Sequence, residues 1–173
     1  MQTKFSDRAN QPPMQKQIIG LVAWLGLAFA TSAIGAVASI TASSFYAELT
    51  QPNWAPPSSI FGPVWTFLYA LMGVSAWLVW RNGGFRANRA ALTLFIVQLA
   101  VNALWSWLFF GWHRGAAAIA DIALLWVLIV ATVVLFWRAR PLAGALMIPY
   151  LAWVSFAAVL NYSVWQLNPS LLG

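Results

Sequence analysis

The chain lacks cysteine altogether and has few residues that could carry acid–base or metal chemistry. Its 173 residues include no cysteine, one histidine (His113) and three acids, Asp7, Glu48 and Asp121. Without cysteine there can be no disulfide or thiolate ligand, and a single histidine cannot build a usual zinc or haem site. Hydrolysis by paired carboxylates needs two acids close together, whereas these three lie in separate segments. We therefore predict no metal site and no resident cofactor.

Charge is also scarce, since only 7% of the residues are charged while 62% are apolar. That composition excludes an ordinary soluble domain and predicts an integral membrane protein whose partner is the lipid bilayer. The net charge of +6 does not indicate nucleic-acid binding. Its basic residues occur singly between apolar runs, as signals of membrane topology do.

Five apolar runs are long enough to cross a bilayer, which takes about 20 residues. They predict an all-α membrane protein, a bundle of five transmembrane helices. A basic tail over residues 1–17 precedes the transmembrane domain of residues 18–173. The helices are expected at about 18–42, 63–80, 90–110, 116–137 and 142–167, with Pro63 in a first turn and Pro149 kinking the last helix.

The basic residues predict the orientation of the bundle. Arg114 alone lies on one side, and the other eight basic residues lie on the opposite side. Positive residues favour the cytoplasmic side, so we predict a cytoplasmic N-terminus and an external C-terminus, in a bacterial inner membrane. The first run, with Ala28-Phe29-Ala30, also resembles a cleavable signal peptide. Its continuation to Ala42 favours a retained helix.

Twelve tryptophans are present, and several lie in the middle of apolar runs rather than at the headgroup levels. Each offers a broad flat ring and one N–H group that needs a partner. A bundle lined with such rings is suited to a flat, apolar, partly polar ligand. The mid-run tryptophans are Trp65, Trp77, Trp105, Trp126 and Trp153.

Residues 43–62 form the longest connection between spans. Phe45, Tyr46 and Leu49 share one side of a possible helical turn, as in a short interfacial helix. Prolines then stiffen the chain around Trp54. The segment is either a lid over the mouth of the bundle or an interfacial anchor with Trp54 at the headgroup level. The sequence leaves both interpretations open.

Three stretches of the chain resemble one family. They are PNWAPP followed by GPVWTFLYALMG, then QLAVNALWSWLFFG, and finally PYLAWVSFAAVLNYSVWQLN. In order and spacing they are similar to the tryptophan-rich sensory protein / translocator protein family (TspO/MBR). The resemblance implies a five-helix bundle with a pocket under the first loop, and commonly a homodimer. It also implies binding of porphyrins and related tetrapyrroles, of sterols in some lineages, and of isoquinoline and benzodiazepine drugs.

The resemblance also implies which side chains contact the ligand. The expected ligand-binding residues are Trp54, Phe61, Trp65, Tyr69, Asn102, Trp105, Trp153, Ala157, Leu160 and Asn161. Helical spacing is consistent with this set, because Trp153, Ala157 and Leu160 share one face. A mid-span asparagine is costly unless it is hydrogen-bonded. Asn102 and Asn161 are therefore expected either to join helices or to recognise the ligand.

Taken with the resemblance, these features predict a membrane receptor or carrier for porphyrin-type ligands, in tetrapyrrole handling or sensing. One alternative is an enzyme that degrades porphyrin with light and oxygen, with Trp65 and Trp153 as redox partners. Another is a passive transporter of porphyrin or sterol. Sterol is in doubt because no Lys or Arg follows Tyr162 within five residues.

Two further patterns concern the interior of the bundle. Asp121 is the one acid inside a predicted span, and we expect a structural role, bonded to hydroxyls or paired with Arg114. Thr31, Gly35 and Ser39 recur at four-residue spacing and predict a small-residue ridge for helix packing.

Overall fold

Five long apolar helices account for most of the structure, a computed structural model that describes residues 13–40 and 42–173. In chain order the helices are α1 (Met14–Ala38), α2 (Ala42–Glu48), α3 (Phe61–Trp80), α4 (Gly84–Ala87), α5 (Arg89–Ser106), α6 (Gly115–Ala139), α7 (Pro141–Leu167) and α8 (Pro169–Leu172). The helices α1, α3, α5, α6 and α7 are long and apolar enough to span a membrane. The predicted all-α bundle with five spans is confirmed, and the protein is a multi-pass integral membrane protein.

Helix α1 begins and ends earlier than the predicted range of 18–42. It begins directly after Pro13 with the residues MQKQ. These residues favour a helix but are mostly polar, so they do not belong to the apolar run from which the start was predicted. It ends where the Ser39 backbone N–H turns back to the Ala36 carbonyl. Residues 1–12 of the predicted basic tail lie outside the described residues.

The other spans match the predicted ranges closely, with two local departures from α-helix. A short 3₁₀ turn, Ser58–Ile60, leads into α3, and Pro63 lies in the first turn of that helix as predicted. A π-helical segment, Trp107–Gly111, extends α5. Pro149 lies inside α7, where it removes one backbone donor.

At the basic end of the bundle the helices pack closely around fully buried side chains. We call this end, built around Leu92, Phe95, Phe136 and Met147, the packed half; all four side chains are buried. The rings of Phe95 and Phe136 stack with centroids 5.6 Å apart. A Cβ atom added at Gly144 would lie 2.8 Å from the Trp137 Cα atom, so α7 approaches α6 closely only because this residue is glycine.

The long connection folds back onto the opposite end of the bundle. The predicted helical turn is present as α2, and its side chains Phe45 and Tyr46 are buried, as is Leu49 just beyond it. They pack against residues of α7 and the π segment, so this face is turned into the protein. Asn168 fixes the connection, because its side chain accepts from Thr50 N–H and donates to the Thr50 carbonyl, both at 2.8 Å.

Candidate ligand-binding site

A cavity of about 440 Å³ lies between α1, α3, α5 and α7, beneath α2. This volume falls in the range of small-molecule sites, about 300–1,000 Å³. The lining residues are Ser32, Gly35, Ala36, Ser39, Ala42, Tyr46, Ser58, Phe61, Gly62, Trp65, Thr66, Tyr69, Asn102, Trp105, Ser106, Phe109, Phe110, Trp153, Ala157, Leu160, Asn161 and Val164. None of them carries a charged side chain.

The structure brings together nearly all the residues expected from the sequence. The cavity is lined by Phe61, Trp65, Tyr69, Asn102, Trp105, Trp153, Ala157, Leu160 and Asn161. Trp54 is not among the lining residues. Its side chain is 46% exposed, and its ring meets the edge of Phe156 at 6.0 Å.

Aromatic rings form the walls of the cavity. On one side the Phe61 and Trp153 rings meet edge to face, with centroids 6.0 Å apart. On another the Trp105 ring stacks on Phe109 at 5.6 Å. The small side chain of Ala157 leaves space beside Trp153 on the same helix. The walls can therefore enclose a flat apolar ring system.

A buried chain of hydrogen bonds begins at the cavity wall. The Tyr69 hydroxyl donates to Asn102 Oδ1, and Asn102 Nδ2 donates to the Tyr150 hydroxyl at 2.9 Å. The Tyr150 hydroxyl donates to Gln98 Oε1, also at 2.9 Å. Asn102 therefore joins α3 to α7 and lines the cavity at once, so the two roles considered for it coexist.

Three residues that line the cavity each have a buried polar atom with no hydrogen-bond partner among the described residues. These atoms are the Tyr46 hydroxyl, Trp153 Nε1 and Asn161 Nδ2. Asn161 Oδ1 accepts from Trp105 Nε1 at 2.9 Å, which directs the amide nitrogen away from that ring. Burial raises the pKa of Tyr46, so its hydroxyl keeps its proton at neutral pH. All three groups are donors, and a small rotation of each side chain would be needed to bring its donor to a ligand in the cavity.

Helices α1 and α2 also contribute to this site, which the sequence did not predict. Gly35 and Ser39 line the cavity, although their spacing predicted only a packing ridge. The ridge does pack as well, since a Cβ at Gly35 would lie 3.0 Å from Ser106 Oγ. Tyr46 lines the cavity because α2 folds inward. No local signal distinguishes a ridge that packs throughout from one that borders a cavity.

The rim of the cavity opens between α1 and α3. The lining residues Ala36, Gly62 and Thr66 are exposed, unlike those deeper in the site. All three side chains are small, and they lie on the outer surface of the bundle. A gap bordered by small residues can admit a flat ligand with little movement of the helices.

The partners expected for Asp121 are not found. The side chain is 7% exposed, and its Oδ2 atom has no hydrogen-bond partner among the described residues. The predicted bonding to hydroxyls is therefore wrong for this atom. Ile122 and Leu125, which follow it on α6, are buried apolar side chains and offer no hydrogen-bond partner.

Comparison with known proteins places the chain in a family. The sequence model of the TspO/MBR family matches residues 20–166. The tryptophan-rich protein TspO of Chlorobaculum tepidum is 41% identical over 159 residues, which cover 90% of this chain and 100% of that protein. Protein CrtK of Rhodobacter capsulatus is 42% identical, with 81% of this chain and 89% of the relative covered.

An animal protein is similar too. The human translocator protein is 42% identical over 126 residues, which cover 72% of this chain and 75% of that protein. The family match spans the helices that build the cavity. The chain belongs to the TspO/MBR family.

Proposed function

We propose that this protein is a membrane receptor or carrier whose cavity binds porphyrins and related tetrapyrroles. The observation that carries the proposal is the cavity itself, which has aromatic walls, no charged lining residue and three unpartnered donors. A porphyrin presents two flat apolar faces to such walls. Its peripheral carboxylates offer the acceptors that Tyr46, Trp153 and Asn161 lack.

A titration with protoporphyrin IX tests this proposal. Trp65, Trp105 and Trp153 line the cavity, so binding there should quench tryptophan fluorescence. We expect saturable quenching at micromolar ligand; a Kd of about 1 μM corresponds to about −8 kcal/mol. Quenching that rises linearly without saturation would indicate partitioning into the membrane and would contradict the proposal.

A second candidate function is light-dependent breakdown of the bound porphyrin. It is favoured by two indole rings, Trp65 and Trp153, that both line the cavity and could donate an electron to an excited ligand. Oxygen would be the oxidant, and the protein would supply orientation and exclude water. We expect Trp65→Phe or Trp153→Phe to abolish the loss of protoporphyrin IX under light while binding in the dark persists. Breakdown at the wild-type rate in both variants would leave only the binding function.

The orientation that we propose puts the N-terminus in the cytoplasm of a bacterium and the protein in its inner membrane. It rests on the basic residues, since Arg81 and Arg140 follow α3 and α6 at one end while Arg114 precedes α6 at the other. The cavity would then lie at the external end. A reporter fused after Gly173 that works only in the cytoplasm should be silent; strong activity would reverse the orientation.

We also propose that the protein forms a homodimer through α1. Gly26 and Ala30 are both exposed at four-residue spacing, and a Cβ at Gly26 would meet nothing within 4 Å. Small residues of this kind let a second helix approach closely. Cross-linking between cysteines introduced at residue 26 should give a covalent dimer in membranes, whereas residue 152 on α7 should not.

A further inference from the structure

The buried hydrogen-bond chain runs from the cavity to an unsatisfied amide. It links Tyr69, Asn102, Tyr150 and Gln98, of which Tyr150 and Gln98 are fully buried and do not line the cavity. At the far end, Gln98 Nε2 has no hydrogen-bond partner among the described residues. A buried N–H group without a partner raises the free energy of the folded state, so the arrangement at this end of the hydrogen-bond chain is unfavourable.

Every bond in the chain points the same way, from the cavity towards Gln98. The proton of Tyr69 is therefore committed to Asn102, and its oxygen can only accept a hydrogen bond from a ligand. The direction of all the bonds can be reversed while the same atom positions stay occupied. A half-turn of each amide group exchanges its oxygen and its nitrogen. Gln98 would then donate to Tyr150, Tyr150 to Asn102, and Asn102 to Tyr69.

Reversal has opposite effects at the two ends. At the far end Gln98 Nε2 gains the partner that it lacks, leaving an unpaired carbonyl, which is less costly than an unpaired N–H. At the cavity the Tyr69 proton becomes free to donate. No proton is passed along the chain, since both hydroxyls only rotate and both amides only turn. A ligand atom that accepts from Tyr69 would complete the reversed chain.

We propose that Tyr150 and Gln98 are positioning residues that decide whether Tyr69 offers the ligand a proton or a lone pair. A ligand with an acceptor at this point selects the reversed chain. This inference rests on the proposed binding function and adds a basis for specificity, since it favours tetrapyrroles with carboxylate or carbonyl groups over purely alkylated ones.

The test compares two porphyrins that share one ring system. Protoporphyrin IX carries two carboxylates, whereas etioporphyrin I carries only alkyl groups. In Gln98→Met, Tyr150 has no acceptor at the far end and must donate to Asn102, which fixes the reversed order. We expect protoporphyrin IX to bind at least threefold more tightly than to wild type, with etioporphyrin I unchanged. Damage to the fold would weaken both ligands, so the ratio of the two Kd values separates the explanations.

Two controls sharpen the result. In a Tyr69→Phe background, Gln98→Met should no longer change the ratio of the two Kd values, because the hydroxyl that connects the hydrogen-bond chain to the ligand is absent. Gln166→Met, the same change as Gln98→Met but at an exposed position on α7, should leave the ratio as in wild type. An unchanged ratio in Gln98→Met, or a change that survives in Tyr69→Phe, would overturn the proposal.

A measurement without ligand keeps this inference separate from the proposed function. The infrared C–O stretch of tyrosine shifts according to whether the hydroxyl donates or accepts a hydrogen bond. The Tyr69 band, identified by its loss in Tyr69→Phe, should shift in Gln98→Met. A stationary band would refute the reversible chain, whereas failure of the wild type to bind either porphyrin would refute only the proposed function.

Discussion

The two ends of the bundle are built from the same helices and differ in how small residues are used. In the packed half, Gly144 lets α7 touch the backbone of α6 at Trp137, and Gly73 does the same for α3 against Leu25 of α1. At the other end, Ala157 and Gly35 face a cavity. A small residue therefore removes space between helices at one end and leaves space at the other.

This contrast shows that residue size alone does not determine function within the bundle. An added methyl group costs stability where the neighbouring backbone already fills the space. Where the neighbour is a cavity, the same addition takes volume from a ligand and leaves the fold intact. Substitutions at the two ends should therefore separate stability from binding.

The largest effect is expected from Gly144→Ala in the packed half. Its new Cβ would lie 2.8 Å from the Cα of Trp137, so the α6–α7 contact must open. We expect a loss of about 1–3 kcal/mol in the free energy of unfolding, measured by thermal or denaturant unfolding in detergent. The control is Gly62→Ala on α3, where nothing lies within 4 Å and no loss is expected. Equal stability of the two variants would contradict the close packing.

The next effect is expected in the cavity, from Ala157→Leu. The larger side chain should occupy ligand volume and weaken protoporphyrin IX binding about tenfold, or 1.4 kcal/mol. The unfolding midpoint should change little, because the side chain enters free space. Ala152→Leu, at an exposed position on the same helix, is the matched control and should bind as wild type does. Unaltered affinity in Ala157→Leu would place the ligand elsewhere.

The smallest effect is expected from Tyr46→Phe, which removes one donor and keeps the ring. A hydrogen bond contributes about 0.5–1.5 kcal/mol, so binding of protoporphyrin IX should weaken only a few-fold. Without ligand, the variant should be no less stable than wild type, since this hydroxyl has no partner among the described residues. A clear decrease in the free energy of unfolding, measured by denaturant titration without ligand, would show that the hydroxyl has a structural role.

Much of this architecture could be predicted from the sequence, because apolar runs and punctuating prolines are local signals. The predicted pocket residues of α3, α5 and α7 line one cavity for a related reason. Helical spacing puts Trp153, Ala157 and Leu160 on one face, and the family resemblance indicated which faces converge. Trp54 differs because its stiff loop places it by tertiary contacts, here against Phe156.

The features that the sequence did not predict depend on contacts between distant segments. Tyr150 and Gln98 looked like ordinary residues of apolar spans, and only the assembled bundle joins them to Asn102 and Tyr69. Likewise, Asp121 could be recognised as an acid within a span, but not as one whose Oδ2 atom lacks a hydrogen-bond partner. Hydrogen-bond partners across helices depend on rotation and register, which a single sequence does not specify.

The gap between α1 and α3 has a consequence for how affinity should be measured. Asn168 holds the connection closed over the end of the bundle, whereas the rim at Ala36, Gly62 and Thr66 is exposed on the outer surface of the helices. We expect a porphyrin to dissolve first in the bilayer and to enter sideways. The concentration that governs occupancy is then moles of ligand per mole of lipid. An apparent Kd expressed per volume of water should rise in proportion to the amount of lipid added, while the Kd expressed per lipid stays constant.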